Sequence, residues 1–438
     1  MTTSFPHHTE LAAAAIVSDL AARLADHEAV ATVMTAQDNA RKLVDGSAPV
    51  FWSDLSLADG YPALALLYAE LGHLDPGYRR VAHAYLEQAA TRLTEAPPGG
   101  LYAGSVALAF AASCAAQRPT DYAGILEPLD RSLAAWVPAR VGVERVRIEA
   151  GLPGTTFASY DVIGGMTGVG RYLLNRGPET RPALTEILTY LCALTKPFAD
   201  DLPGWWVTHA PDSDVEHGGH LNLGLAHGIP GPLALLALAW QAGIRVPDQD
   251  AAIARIVGWL LDWRITDSAG VGWPATVEPG DLAGPPDQLC MSRSSWCYGV
   301  PGVARALQLA GQALGESSWT SAAVASIRDM LNRPNGFFGI EDPGLCHGWA
   351  GLLHLVRLIG IDADDAAISG AATGLAASVV GRYDDNAPFG FRATNPPALE
   401  TVDLAGFLEG AAGVALALAS YVHGGRPASG WDAALLAR

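Results

Sequence analysis

Four side chains able to bind a metal or move a proton stand immediately ahead of a Gly-x-x-Gly segment. His227 precedes Gly228-Ile-Pro-Gly231, Cys297 (with Tyr298) precedes Gly299-Val-Pro-Gly302, and Cys346-His347 precedes Gly348-Trp-Ala-Gly351. The chain holds only five cysteines and twelve histidines in 438 residues, so two of each at one recurring place is no scatter. Cys297, Cys346 and His347 make a Cys₂His donor set. Three protein ligands with the fourth position open is the pattern of a catalytic zinc, whereas structural sites close with four; thiolate and imidazole donors favour zinc among the common metals. The structural alternative makes the two cysteines small buried apolar residues and His347 a hydrogen-bonded cap. His227 occupies the slot of His347 in its own repeat, and reads either as a fourth ligand or as a general acid/base, because imidazole exchanges protons near neutral pH. Asp161, four residues before Gly165, and Arg293, four before Cys297, add a carboxylate and a cation. Asp161 alone reads equally well as a helix cap. His209, His217 and His220 fall in a Gly- and Asp-rich loop and read as exposed loop residues rather than ligands.

These residues can meet only if the elements carrying them converge. The motif of Gly, two residues, then Gly or Ala occurs seven times, opening at Gly60, Gly104, Gly165, Gly228, Gly299, Gly348 and Gly410. Each copy leads into a nearly uncharged run, such as LALLALAW from Leu233 or VALALASY from Val414. A helix apolar all round must be buried on every side, which predicts seven inner helices. Ahead of each lies a stretch with a polar face and helical spacing, roughly 9–27, 77–94, 122–137, 180–197, 249–264, 317–332 and 362–381, which predicts seven outer helices. The expected fold is all-α, a closed (α/α)7 toroid of seven outer and seven inner helices. The small residues at the inner helix starts let neighbouring helix ends approach. An open solenoid with merely structural glycines is the alternative; unequal repeat lengths and the absence of obvious polar caps favour closure. One domain, 1–438, is expected, with a small inserted subdomain at 118–158 before the third inner helix. There the alternation of Val141-Gly-Val-Glu-Arg-Val-Arg-Ile148 predicts a short strand pair. The long Gly-, Pro- and Asp-rich loops leading to Gly228 and Gly299 are natural walls for a substrate cleft.

Half of the residues are hydrophobic, enough for a large core, and 27 Lys+Arg against 45 Asp+Glu leave a net charge of −18. That balance excludes a protein built to grip phosphate backbones, so no nucleic-acid partner is expected. The segment Met1 to Pro6 lacks the basic and apolar regions of a secretory signal. The long uncharged run from about Ala96 to Gln117 is rich in small residues and broken by Pro97 and Pro98, which predicts a buried helix rather than a transmembrane segment. An odd number of thinly spread cysteines does not read as a disulfide framework.

The blocks Tyr160-Asp-Val-Ile-Gly-Gly-Met-Thr-Gly168, Asn222-Leu-Gly-Leu-Ala-His-Gly-Ile-Pro-Gly231, Ser295-Trp-Cys-Tyr-Gly299 and Cys346-His-Gly-Trp-Ala-Gly351 resemble those of the LanC-type lanthipeptide cyclases, in their stand-alone form, over essentially the whole chain. The resemblance implies an α/α toroid with one zinc ion in its mouth. It also implies a reaction, the addition of a peptide cysteine thiol to dehydroalanine or dehydrobutyrine to close lanthionine or methyllanthionine rings. Carried over residue by residue, the zinc ligands fall on Cys297, Cys346 and His347, the acid/base histidine on His227, the essential aspartate on Asp161, the active-site arginine on Arg293 and the tyrosine beside the first zinc cysteine on Tyr298. Asp161 would take up the thiol proton or orient the histidine. A dehydrated precursor peptide as substrate, a separate dehydratase as partner, and a cytoplasmic location, a membrane-associated biosynthetic complex included, follow from the same resemblance. Two rivals share the zinc: a prenyltransferase-like toroid, and a module that escorts peptides without closing rings. A carbohydrate-cleaving toroid would use paired carboxylates such as Asp59 and Glu409, leaving the cysteines without a purpose.

Overall fold

The computed structural model describes residues 4–39, 50–94, 98–198, 202–209, 216–268, 270–285, 293–333, 338–394 and 401–438. Its first eight α-helices are α1 (Ser4–Arg23), α2 (His27–Met34), α3 (Tyr61–Leu74), α4 (Arg79–Thr91), α5 (Gly104–Ala115), α6 (Ala123–Glu149), α7 (Phe157–Tyr160) and α8 (Met166–Leu174). There follow α9 (Arg181–Leu194), α10 (Pro230–Gln241), α11 (Gln249–Asp262), α12 (Val300–Leu314), α13 (Ser317–Leu331), α14 (Trp349–Ala363), α15 (Ala366–Val380) and α16 (Ala411–His423). All seven glycine motifs open a helix: α3, α5, α8, α10, α12, α14 and α16. These helices are buried over most of their length; in α16 every residue from Ala411 to Ser420 is buried. Each fully buried leucine among them contributes roughly 1.5–3 kcal/mol.

The chain forms two compact units, one from Met1–Ala96, Tyr102–Leu126 and Ile340–Trp431, the other from Pro97–Leu101, Glu127–Gly339 and Asp432–Arg438. In the first unit α14 packs on α16, α16 on α3 and α3 on α5. In the second, α8 packs on α10 and α10 on α12. Outer helices α4, α9, α11, α13 and α15 lie mainly on the inner helices that precede them, α3, α8, α10, α12 and α14, while α1 packs on α16. The loops before α10 and α12 hold five short strands: β1 (Val207–His209), β2 (Glu216–Asn222), β3 (Ile265–Asp267), β4 (Gly270–Gly272) and β5 (Thr276–Val277). They make an antiparallel sheet in the order β1-β2-β5, with Val207 opposite His220 and Leu221 opposite Val277, and a β3-β4 hairpin.

The turns entering α3, α8, α10, α14 and α16 share one hydrogen-bond pattern. Amide groups at the helix start donate to main-chain carbonyls seven residues back, as Gly168 to Asp161, Ile229 to Asn222, Ala350 to Pro343 and Gly413 to Gly406. The helix N-termini are thereby satisfied by backbone, without side-chain caps. This leaves no room at the second motif glycine. A methyl placed on Gly168, Gly302, Gly351 or Gly413 would lie 2.0, 2.3, 1.9 or 1.9 Å from the carbonyl oxygen of Val162, Trp296, Leu345 or Phe407. The close approach is therefore first to the repeat's own turn. The neighbouring repeat comes second: the side chains of Leu101, Val162, Leu225 and Leu345 press on Gly168, Gly231, Gly302 and Gly413.

The strand pair expected at 141–148 is not formed, since α6 runs through it to Glu149. Val137, Val141 and Glu144 are buried at helical spacing, whereas Val143 and Val146, which the alternation would have paired, are 63% and 68% exposed. The 3.6-residue period wins over the β-branched composition because it buries three side chains at once.

Gly413→Ala is expected to lower stability by about 1–3 kcal/mol through overpacking against Phe407. Gly370→Ala in α15, where an added methyl meets nothing, is expected to raise it by about 0.5–1 kcal/mol. Urea unfolding of the two variants beside the parent checks both signs.

Candidate active site

In the second unit, three consecutive entry turns present chemistry. Asp161, 2% exposed, ends α7 and divides its two oxygens between duties. Its Oδ1 accepts from the amides of Gly164 and Gly165 at 2.7 and 2.8 Å, while Oδ2 lies 2.6 Å from Nδ1 of His227. His227 is held further by the edge of the Phe157 ring, centroids 5.7 Å apart, and by the Tyr160 hydroxyl, which donates to the His227 carbonyl at 2.7 Å. Asp161 is thus a turn-capping group and the partner of the histidine at the same time. The next turn is tied to this one by the Val162 amide donating to Ala226 O at 3.0 Å.

Cys297 sits on the third of these turns, buried, with its Sγ 3.5 Å from Ser295 Oγ. The turn closes through Ser295 Oγ donating to Tyr298 O at 2.7 Å, and it enters α12 through Gly299 at φ 103°, a backbone state that glycine adopts without strain. Asn222 Nδ2 donates to the Tyr298 hydroxyl at 2.9 Å and so fixes the phenol. Arg293 is exposed, one residue outside the turn.

In the first unit, Cys346 and His347 lie on the turn into α14. The amides of Leu345 and Cys346 both donate to Leu408 O at 2.8 Å. Asp342 braces the same turn, accepting from Gly344 N at 2.6 Å and Thr394 N at 2.8 Å; burial raises its pKa despite the opposing pull of His347. His347 Nε2 is 3.8 Å from Glu409 Oε1. Asp59 is pushed up to about 8, first by burial and then by the charge of Glu409.

The ligand atoms of Cys297, Cys346 and His347 all lie within 4.8 Å of one another, a group that could hold a metal ion. Donors bound tetrahedrally to one zinc at about 2.0–2.3 Å stand about 3.3–3.8 Å apart, so the 4.8 Å spread of these three suits such an ion once they draw together by up to about 1 Å. Among the described residues no other such group of histidine, cysteine, aspartate or glutamate is present.

A family model described as "Lanthionine synthetase C-like protein" matches residues 52–436. The chain belongs to that family. It is 26% identical over 320 residues to the nisin biosynthesis protein NisC of Lactococcus lactis subsp. lactis, across 70% of this chain and 74% of that protein. A solved structure of nisin cyclase matches with a TM-score of 0.72 at 24% identity, over 88% of this chain and 92% of that one. The fold of this lanthionine synthetase C-like chain is therefore the all-α toroid expected from its seven motifs. No described helix is long and apolar enough to cross a membrane.

Two loop histidines depart from their expected exposure. His220 on β2 is buried, because the alternation of the strand turns it inward, and it packs with the half-buried His209 against Phe157. The side chain of His217 lies outside the described residues. Phe157, Asn222, Ser295 and Asp342 escaped sequence reasoning, although Asn222 and Ser295 lie inside the blocks that carried the resemblance.

Asp59 gives the metal-free protein a pH dependence with a definite sign. The unfolded chain loses this proton near the ordinary value of 3.8, while the folded one holds it to about 8, so stability falls as pH rises between these values. With a chelator present, Asp59→Asn is expected to flatten the decline in Tm between pH 5 and 8; an unchanged slope would place the titration elsewhere.

Proposed function

We propose that this family member closes thioether rings, adding a cysteine thiol of a dehydrated precursor peptide to a dehydroalanine or dehydrobutyrine of the same peptide, with one zinc ion held by Cys297, Cys346 and His347. The observation that carries the reading is the gathering of those three donor atoms within 4.8 Å in a chain of this family. When bound, the ion supplies a lowered thiol pKa, which makes the substrate sulfur a nucleophile at neutral pH, where a free cysteine with pKa about 8.5 is only a few per cent ionised.

The remaining chemistry falls to the chain's own groups. As sulfur bonds to the β-carbon, an electron pair moves onto the neighbouring carbonyl oxygen, and a proton must then reach Cα. His227 has Nδ1 committed to Asp161, so Nε2 is the nitrogen that delivers the proton. Asp161, already accepting from two amides, keeps the imidazole oriented and stabilises its charged form rather than collecting the thiol proton. Arg293, exposed and on a long side chain, stabilises the developing oxyanion, and the phenol of Tyr298, fixed by Asn222, lines the same site. The dehydro residues come from a separate dehydratase, which this reading requires as an upstream partner.

Ring closure changes no mass, so the readout is loss of alkylatable thiol in a dehydrated, cysteine-containing peptide. Cys297→Ala and His347→Ala are expected to lose zinc and ring closure together. His227→Ala should keep stoichiometric zinc while its rate falls about 10²–10⁴-fold. Metal loss in all three variants would make His227 a ligand; a zinc-loaded parent protein that leaves every thiol free would make the chain a peptide escort instead.

A further inference from the structure

The mechanism above leaves unused a buried segment far from the site in sequence. Asp432–Arg438 belongs to the second unit, and Asp432 through Ala437 are all 0% exposed. The segment pairs with no strand, and three of its main-chain carbonyls accept from side chains instead. Trp296 Nε1 donates to Leu435 O at 2.8 Å and Arg305 Nε to Ala437 O at 2.7 Å. Arg171 donates twice to Arg438 O, from Nε at 3.0 Å and Nη2 at 2.7 Å. Leu436 adopts φ 51°, a state that costs a non-glycine residue energy and that the surrounding contacts must hold. Arg171 and Arg305 are on α8 and α12, so the segment braces two inner helices.

The third donor links the segment to the site. Trp296 is fully buried and immediately precedes Cys297. Its indole is tied to Leu435, and its carbonyl oxygen would be 2.3 Å from a methyl on Gly302, so it is pinned at both ends. The Cys297 carbonyl closes on Gly224, where an added methyl would meet it at 2.4 Å. Little freedom remains at the Cys297 backbone, and the part that fixes it from below is the Trp296–Leu435 bond.

We infer that Asp432–Arg438, acting through Trp296, is a positioning element for Cys297 that sets how tightly the metal is held. The inference rests on Cys297 being a metal ligand. Trp296→Phe keeps a ring in the cavity but removes the N–H donor. Relative to the parent, its zinc affinity in chelator competition is expected to fall about tenfold, the lower end of the loss found when outer partners of metal ligands are removed. The cobalt(II)-substituted variant should also show altered thiolate-to-metal absorption. Equal affinity and identical cobalt spectra would overturn the inference while leaving the metal reading intact; a parent protein that binds no zinc would instead sink that reading. Should Trp296→Phe fail to fold, amide hydrogen exchange of the parent protein decides: zinc addition is expected to slow exchange in 432–438 as well as in 294–299, and slowing confined to 294–299 would count against the link.

Discussion

In the five repeats whose second motif residue is glycine, no side chain fits between the carbonyl that ends the entry turn and the first turn of the helix behind it, and from this exclusion the arrangement of the site follows. At Gly168, Gly302, Gly351 and Gly413 the backbone of the turn lies where a Cβ would be. Such tight folding back lets the turn supply its own carbonyls to the helix amides, so side chains there are released from capping duty. The residues just before the motif therefore sit on a rigid base. Cys297, Cys346, His347 and His227 all occupy this privileged place.

Burial and charge then divide the labour among groups of similar type. Asp161, accepting from two amides and facing His227, is an orienting carboxylate. Asp342 spends both oxygens on amides that shape the turn of Cys346 and His347. Asp59, half-buried beside Glu409 with its Oδ1 shielded from solvent, keeps its proton up to about 8 and behaves as a neutral acid. Three aspartates of one type thus have three surroundings, set by hydrogen-bond donors and neighbouring charge.

Much of this was legible in the residues. The motif glycines mark the starts of all seven inner helices because at Gly60, Gly165, Gly228, Gly348 and Gly410 backbone lies where a Cβ would be and at Gly104 and Gly299 the turn takes a positive φ, and the apolar runs behind them can only be interior. The Cys297–Cys346–His347 cluster and the His227–Asp161 hydrogen bond join residues that the sequence sets one, two or four places ahead of a motif glycine. What stayed hidden depends on distant partners. Val141–Ile148 carries a β-like alternation that loses to the burial of Val137, Val141 and Glu144 on one helical face. His220, opposite Val207 of β1, is buried in a strand whose next residues also pair with β5 of the following loop. Nothing local tells that the indole of Trp296 meets Leu435.

The division of the chain between the two units bears on the order in which a ribosome can deliver them. The second unit draws most of its residues from one contiguous stretch, Glu127–Gly339, whereas the first needs both Met1–Ala96 and Ile340–Trp431. Vectorial synthesis favours the contiguous stretch, so the His227–Asp161 pair can form while Cys346 is still unmade. Helix α1, whose partners are α15 and α16, must wait until residues 366–423 are made, and the buried guanidinium groups of Arg171 and Arg305 receive the carbonyls of residues 438 and 437 only after that.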